Sequence, residues 1–166
     1  MKNSRKTLTV VLAIIYGLLL IWIILFKMSS FSAISELDHI RSINLIPFYY
    51  DREVSSHFSE VFENVILFIP MGIYLMIIIK RAGYPILFGA CFSLALEISQ
   101  YIFGIGASDI TDLITNTTGT ALGVLIYLSL LRLCKNEAKL HGTINILALI
   151  CTIAFIILAA ILLLVN

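Results

Sequence analysis

Charged side chains are scarce in this sequence. Asp, Glu, Lys and Arg make up only 13% of its 166 residues, and 60% of the residues are hydrophobic. A soluble protein carries about 25% charged residues, and a chain of this length cannot bury so much apolar surface in one water-soluble core. The composition therefore excludes an ordinary soluble domain. It predicts an all-α integral membrane protein in which residues 1–166 form a single multi-pass domain.

A basic cluster and a cysteine framework are also missing. The net charge is only +1, and no concentrated basic stretch is present. This argues against a nucleic-acid partner, because such partners require a clustered basic surface. The three cysteines, Cys91, Cys134 and Cys151, are odd in number and far apart. They argue against a disulfide or metal framework, and we interpret them as small core residues.

Long hydrophobic runs, in contrast, are abundant. The first hydrophobic run, at about residues 8–26, spans roughly 28 Å at the rise of an α-helix, and this length matches the hydrocarbon core of a bilayer. It is longer than the apolar region of a cleaved signal peptide, about 7–15 residues, so we expect a retained first helix. The second run is short, with Pro70 and Gly72 in its middle. Five membrane helices are predicted, at about residues 8–26, 64–79, 85–103, 113–131 and 143–165.

A long segment, residues 27–63, separates the first two hydrophobic runs. At its end, hydrophobic residues recur at helical spacing beneath polar neighbours, namely Val54, Phe58, Val61, Phe62 and Val65. This pattern is typical of an amphipathic helix that lies on a membrane surface. The sequence therefore predicts a long external loop that carries a short amphipathic helix.

The basic residues predict the orientation, because cytoplasmic loops are enriched in Lys and Arg. A cytoplasmic N-terminus places eight of the eleven basic residues inside: Lys2, Arg5, Lys6, Lys80, Arg81, Arg132, Lys135 and Lys139. Glu137 is then the one cytoplasmic acid among ten acidic residues. We therefore expect a cell-membrane protein with a cytoplasmic N-terminus, an external C-terminus and most acidic residues on the outer side.

Carboxyl and amide side chains occur where hydrophobic helices are expected to contain none. They are Glu97, Gln100, Asp109, Asp112 and Asn116. An ionisable group inside a bilayer is costly and usually faces a bundle interior or a wet cavity. At helical rise Glu97 lies roughly 9 Å from the outer end of its helix. The short loop after that helix lets two polar helix faces meet, so the pattern predicts a small pocket that opens outward.

Parts of this cluster also have a purely structural interpretation. Asp109 and Asp112 suit the N-terminus of a helix, where carboxylates satisfy free N–H groups. Asn116 suits an interhelical hydrogen bond. Gly119 and Gly123 are four residues apart and favour close helix packing. The Glu–Gln pair of the preceding helix could likewise be a structural hydrogen-bonded pair.

Four motifs in their order and spacing resemble the VanZ family. They are Asn-Leu-Ile-Pro-Phe at 44–48, the stretch 64–72, the pair Glu-x-x-Gln at 97–100, and Gly-Ala-Ser-Asp-Ile-Thr-Asp-Leu-Ile-Thr-Asn-Thr at 106–117. The resemblance covers a core of about residues 20–131 and leaves 143–165 as an extra C-terminal helix. Many members carry an Arg just before the first Asp of the Asp-x-x-Asp pair, and this chain does not. The resemblance implies a membrane protein that lowers susceptibility to the glycopeptide antibiotic teicoplanin, with little effect on vancomycin.

Three classes of function stay open. The first is a protein that binds membrane lipids, teicoplanin, or lipid and glycan head groups of the cell wall, without a cofactor. The second is a metal-assisted enzyme of envelope lipids or lipid-linked glycans, in which three carboxylates hold Mg²⁺ or Ca²⁺. The third is a transporter, which the absence of a visible inverted repeat disfavours. The predicted pocket comprises Asn44, Asn64, Glu97, Gln100, Asp109, Asp112 and Asn116.

Overall fold

Five helices dominate the structure, a computed structural model that describes residues 2–26, 41–49 and 54–165. Within these residues, five helices are long and apolar enough to cross a membrane. The predicted all-α multi-pass architecture is thereby confirmed. The helices are α1 (Lys2–Phe26), α2 (Val54–Ile79), α3 (Gly83–Phe103), α4 (Ile110–Cys134) and α5 (Glu137–Val165).

The second helix is longer than predicted. It begins at Val54 instead of residue 64, so the expected amphipathic segment is the first part of one continuous helix of 26 residues. The helix predicted from Val54 onward is therefore confirmed, whereas the separate start of the membrane helix at residue 64 is wrong, because polar side chains interrupt the hydrophobic run without interrupting the helix. Of the remaining loop, residues 27–40 and 50–53 lie outside the described part of the chain.

The same helix continues through Pro70. Proline has no backbone N–H, so a helix loses one hydrogen bond where it occurs. The hydroxyl group of Tyr16, on α1, donates to the carbonyl oxygen of Leu67 at 2.6 Å, in the turn that precedes the proline. A neighbouring helix thus adds a hydrogen bond to this turn, next to the carbonyl oxygen of Ile66, which Pro70 leaves without its helical N–H donor.

A small parallel sheet joins two segments that are distant in sequence. β1 (Ile43–Asn44) pairs with β2 (Ser108–Asp109), with Ile43 opposite Ser108 and Asn44 opposite Asp109. The all-α prediction did not include this sheet, because two-residue strands leave no periodic hydrophobic pattern. The pairing fixes the segment before α2 against the connection between α3 and α4. We call this side of the bundle the sheet end.

Apolar side chains cover the outside of the bundle and polar ones occur inside. Leu87 and Leu125, for example, are 61% and 58% exposed, as expected of helices that face lipid. The cysteines Cys91, Cys134 and Cys151 are exposed as well. Their interpretation as core residues is therefore wrong. The buried polar residues of the described part are Thr9, Ser93, Glu97, Gln100, Thr111, Thr115, Asn116, Thr120 and Asn145.

Two glycines bring α4 into backbone contact with α2. A Cβ atom added at Gly119 would lie 2.2 Å from the carbonyl oxygen of Val65, and one added at Gly123 would lie 2.1 Å from that of Ile69. Any side chain at either position would collide with backbone that cannot rotate away. The glycines therefore set the close approach of α4 to α2, whereas α4 meets α3 through the polar contacts described next.

Candidate functional site at the sheet end

The N-terminus of α4 is capped by a residue of the sheet. Asp109 Oδ1 accepts a hydrogen bond from the Thr111 N–H at 2.7 Å, and Asp109 Oδ2 accepts one from Asn44 Nδ2 at 3.1 Å. A carboxylate at this position satisfies free N–H groups and interacts favourably with the helix dipole. The interpretation of Asp109 as a helix cap is thus confirmed, and β1 is attached to the cap through Asn44.

The residues after β1 form a turn that contacts α4. Asn44 Oδ1 accepts from the Ile46 N–H at 3.1 Å, and the Tyr49 N–H donates to the Ile46 carbonyl oxygen at 3.3 Å. Phe48 has a positive φ of 56°, and its N–H donates to Thr111 Oγ1 at 3.0 Å. The motif at 44–48 therefore acts as a connector that holds the capping residue in place.

Glu97, on α3, is buried beside this cap and only 6% exposed. Its Oε2 accepts from the Asp109 N–H at 2.8 Å, and its backbone carbonyl oxygen accepts from Ser108 Oγ at 2.7 Å. One residue of α3 thus binds both residues of β2. The second carboxyl oxygen of Glu97, Oε1, is buried and has no hydrogen-bond partner within the part of the chain that the structure describes.

Two amide side chains attach further helices to the same end. Asn64 Nδ2, on α2, donates to Asp112 Oδ1 at 2.8 Å. Gln100 Nε2, on α3, donates to the carbonyl oxygen of Ile24 on α1 at 3.2 Å. The predicted residues consequently lie around one end of the bundle and connect four of its helices.

Another polar contact lies deeper between α3 and α4. Asn116 Nδ2 donates to Ser93 Oγ at 2.9 Å, and Thr120 Oγ1 donates to the Asn116 carbonyl oxygen at 3.0 Å. All three side chains are essentially inaccessible to solvent. With Glu97 they form a line of polar groups along the α3–α4 contact, which we call the polar seam (Ser93, Glu97, Asn116 and Thr120).

Three buried oxygen atoms near the sheet end have no hydrogen-bond partner in the described part of the chain. They are Glu97 Oε1, Gln100 Oε1 and Asn116 Oδ1. Buried polar atoms are normally paired, and an unpaired one costs about 1–3 kcal/mol. The carboxylate and amide oxygens are hydrogen-bond acceptors. A ligand that brings N–H or O–H groups, or a positive charge, would therefore complement this site.

A cavity of about 220 Å³ opens beside the polar seam. Three predicted pocket residues, Asn44, Glu97 and Asp109, line this cavity together with apolar side chains such as Leu94 and Ile98. The other predicted residues do not line it and lie in helix contacts: Asn64, Gln100, Asp112 and Asn116. The seven residues thus form a connected cluster, of which only a part borders open space.

The carboxyl groups of the cavity have no basic partner among the described residues. The ion pair of Lys80 with Glu137 lies at the opposite end of the bundle, and neither Glu97 nor Asp109 forms one within residues 2–26, 41–49 and 54–165. In the same residues, no three His, Cys, Asp or Glu side chains are placed to hold a metal ion. The carboxyl groups at the cavity are therefore not neutralised by described Lys or Arg side chains.

Sequence reasoning missed three polar residues of the site: Ser93, Ser108 and Thr111. Ser93 lies four residues before Glu97, and this helical spacing could have placed both on one face. Ser108 and Thr111 flank the first Asp of the Asp-x-x-Asp pair. Thr111, however, pairs with a residue 63 positions away, a contact that no local pattern predicts.

Fold and site together define a multi-pass membrane protein whose described helices enclose a carboxyl- and amide-rich cluster at one end. Residues 13–133 match the sequence profile of the VanZ/LLP1 family. The chain is also 41% identical over 142 residues to Protein VanZ of Enterococcus faecium, a match that covers 84% of each sequence. The chain therefore belongs to the VanZ family. No solved structure matches it significantly.

Proposed function

We propose that this protein lowers the susceptibility of its host cell to teicoplanin, with little effect on vancomycin, and that the cluster at the sheet end is its binding site. The family match over residues 13–133 supports the resistance phenotype. The ligand is a polar head group at the outer leaflet, belonging to a lipid, a lipid-linked cell-wall glycan or the antibiotic itself.

The observation that carries the binding role is the buried oxygen Glu97 Oε1, which has no hydrogen-bond partner among the described residues and belongs to a residue that lines the cavity. Without a ligand, its burial destabilises the protein, because the oxygen has lost its hydrogen bond to water. A ligand with donor groups at the cavity would restore this bond.

The orientation that this function needs is supported by the distribution of basic residues. Lys80 and Arg81 connect α2 to α3, and Arg132 and Lys135 lie where α4 is followed by α5. Both connections are at the end opposite the sheet. By the positive-inside rule that end is cytoplasmic, so we propose that the sheet end and the C-terminus face outward.

The experiment is a resistance assay with the double variant Glu97→Gln, Asp112→Asn. These changes remove the carboxyl charges while keeping side-chain size and one acceptor oxygen each. In a susceptible Gram-positive host, wild-type protein should raise the minimum inhibitory concentration of teicoplanin but not of vancomycin. The double variant, at equal membrane level by immunoblot, should give the value of the empty vector.

Glu137→Gln is the matched control, because it makes the same chemical change at the opposite end of the bundle, where Glu137 pairs with Lys80 on the surface. This control should protect as well as wild type. Full protection by a well-expressed double variant would refute the role of the acidic cluster. No protection by wild-type protein would refute the teicoplanin phenotype itself.

We propose binding rather than metal-assisted catalysis for this site. Mg²⁺ and Ca²⁺ need several hard oxygen ligands in one place, and the described His, Cys, Asp and Glu residues include no such group of three. Turnover of lipid-linked substrates that EDTA abolishes, or stabilisation of purified protein by a divalent cation, would reverse this preference.

A further inference from the structure

Two cavities on the α3–α4 side of the protein share part of their walls. The cavity that Glu97 and Asp109 line is bordered by Leu94 and Leu113. The same two leucines border a second cavity of about 460 Å³ farther along the helices, a volume typical of small-molecule sites. The two cavities are therefore adjacent along the α3–α4 contact, and we call them together the groove; Glu97 and Asp109 are among the residues that line one end of it.

The second cavity has an apolar lining. Besides the shared leucines it contains Ala90, Cys91 and Ile114. The two threonines in its wall use their hydroxyl groups within the helix: Thr117 Oγ1 donates to the Leu113 carbonyl oxygen and Thr118 Oγ1 to that of Ile114, each at 2.7 Å. A hydrocarbon chain fits this lining, because both threonine hydroxyl groups already donate hydrogen bonds and the chain would bury no unpaired donor.

The groove opens toward lipid rather than toward the inside of the bundle. Leu94, Ile98 and Ile114 in its walls are 47%, 50% and 37% exposed. On a membrane-spanning helix such apolar exposure faces the acyl chains of the bilayer. An occupant can therefore enter sideways from the membrane and keep its head near the sheet end.

Charge complementarity defines the head of the occupant. Glu97 Oε1 is buried and has no hydrogen-bond partner among the described residues, and neither Glu97 nor Asp109 forms an ion pair with a described basic residue. An ammonium group is compact and carries three donors. It would satisfy the unpaired oxygen and compensate the carboxyl charge in one contact.

We propose that the groove holds a bilayer-resident amphiphile with an alkyl chain and an ammonium head, its chain along Leu94 and Leu113 and its ammonium group at Glu97. This inference rests on the proposed function, since it assigns a ligand class to the same site. Chain and head are recognised separately, by the apolar cavity and by the carboxyl group.

The test uses photo-crosslinking of the full-length protein in phosphatidylcholine nanodiscs. The probe is a twelve-carbon alkylamine with a diazirine in its chain, and labelled peptides are identified by mass spectrometry. Labelling of α3 and α4 peptides around Cys91 and Ile114 should be competed by unlabelled dodecylamine. Labelling of α5 should resist competition, because it reports simple partitioning into the bilayer.

Head-group recognition is tested with dodecanol, which has the same chain but no charge. Dodecylamine should compete at about a tenfold lower concentration, as expected for a hydrogen bond to a charged group. Glu97→Gln should remove this difference and retain competition by both compounds. Equal potency of the two compounds on wild-type protein would overturn the ammonium assignment.

Groove recognition is tested with Leu94→Trp, which fills the wall shared by both cavities. It should abolish competable labelling. Leu87→Trp is the matched control on the same helix: its side chain is 61% exposed and borders neither cavity, so labelling should persist. Labelling of wild-type α3 and α4 that no competitor reduces would overturn the whole proposal, without relying on either tryptophan variant.

The two proposals fail in different ways. Competable labelling in a protein that gives no teicoplanin protection would refute the resistance function and keep the ligand class. Teicoplanin protection by a wild-type protein without competable labelling would refute the ligand class and keep the resistance function.

Discussion

Helix α4 contacts α2 and α3 in contrasting ways. Toward α2, Gly119 and Gly123 remove side chains so that the two backbones touch. Toward α3, polar side chains meet, with Ser93 bonded to Asn116 and Glu97 bonded to the Asp109 N–H. The first contact excludes side chains from the interface, and the second places hydrogen-bonding groups in it.

The two contacts differ in whether they leave polar atoms unpaired. Close backbone contact gains dispersion energy and leaves nothing unpaired, which is how helices associate in lipid. The α3 contact retains oxygens on Glu97 and Asn116 that have no partner among the described residues, although unpaired polar atoms destabilise a buried interface. We infer that the α2–α4 pair is the rigid support of the protein and that the α3 side carries its function.

The largest effect on stability is expected from Gly119→Ala. The added methyl group would lie 2.2 Å from the carbonyl oxygen of Val65, so α2 and α4 must separate. Overpacking against fixed backbone should cost about 3 kcal/mol or more, measured by denaturant titration in mixed micelles. Gly17→Ala is the control, since nothing lies within 4 Å of its added atom, and its effect should stay below about 1 kcal/mol. Equal stability of both variants would contradict the rigid α2–α4 contact.

The same substitution on the α3 side should cost less. A Cβ atom at Gly89 would meet the side chain of Thr120, with Oγ1 at 2.3 Å, and a side chain yields more readily than backbone. We expect a loss of about 1–2 kcal/mol for Gly89→Ala, measured in the same titration. Adding Thr120→Ala should restore part of the stability. A loss as large as that of Gly119→Ala, with no such restoration, would show that the two sides of α4 are equally rigid.

An intermediate effect is expected at the cap that joins both sides. Asp109→Ala removes the hydrogen bond to the Thr111 N–H and should cost about 1 kcal/mol. Asp109→Asn keeps an acceptor oxygen and should cost clearly less. Thermal unfolding in detergent measures both variants. Equal losses would mean that the charge at Asp109, rather than its capping bond, stabilises this end.

The smallest effect is expected from Ser93→Ala in the polar seam. Interhelical hydrogen bonds in membrane bundles contribute about 0.6 kcal/mol on average, so removal of the Ser93–Asn116 bond should barely change unfolding. A double-mutant cycle with Asn116→Ala measures the coupling energy directly. A coupling far above this value would make the seam a stabilising element and contradict its assignment to binding.

The membrane architecture could be predicted from the sequence, but several helix ends could not. The run from 85 to 103 is continuous, and α3 occupies Gly83–Phe103. The second run appeared to begin at 64, whereas α2 begins at Val54. Periodicity reports which residues are apolar, and a helix that leaves the bilayer core can continue through polar residues. Its start therefore depends on tertiary contacts and the membrane surface.

The site was predicted as a set of residues and not as a geometry. Glu97 and Asp109 were recognisable because carboxyl groups are costly in a hydrophobic helix. Their division into cavity-lining and interface residues was not recognisable. Asn44 reaches Asp109 across 65 positions, and such a contact leaves no trace in local spacing.

The sequence alone determined that this is a multi-pass membrane protein with five hydrophobic runs, which the described residues form as five helices long and apolar enough to cross a membrane, and that carboxyl and amide groups accompany the third and fourth runs. A bilayer permits few spanning structures, so length and hydrophobicity are sufficient for that conclusion. Only the tertiary structure decided that α4 rests on α2 through glycines, that a two-stranded sheet holds Asn44 at Asp109, and that Glu97 keeps an unpaired oxygen. These features depend on which helix faces which, and that choice is made by packing between segments far apart in the chain.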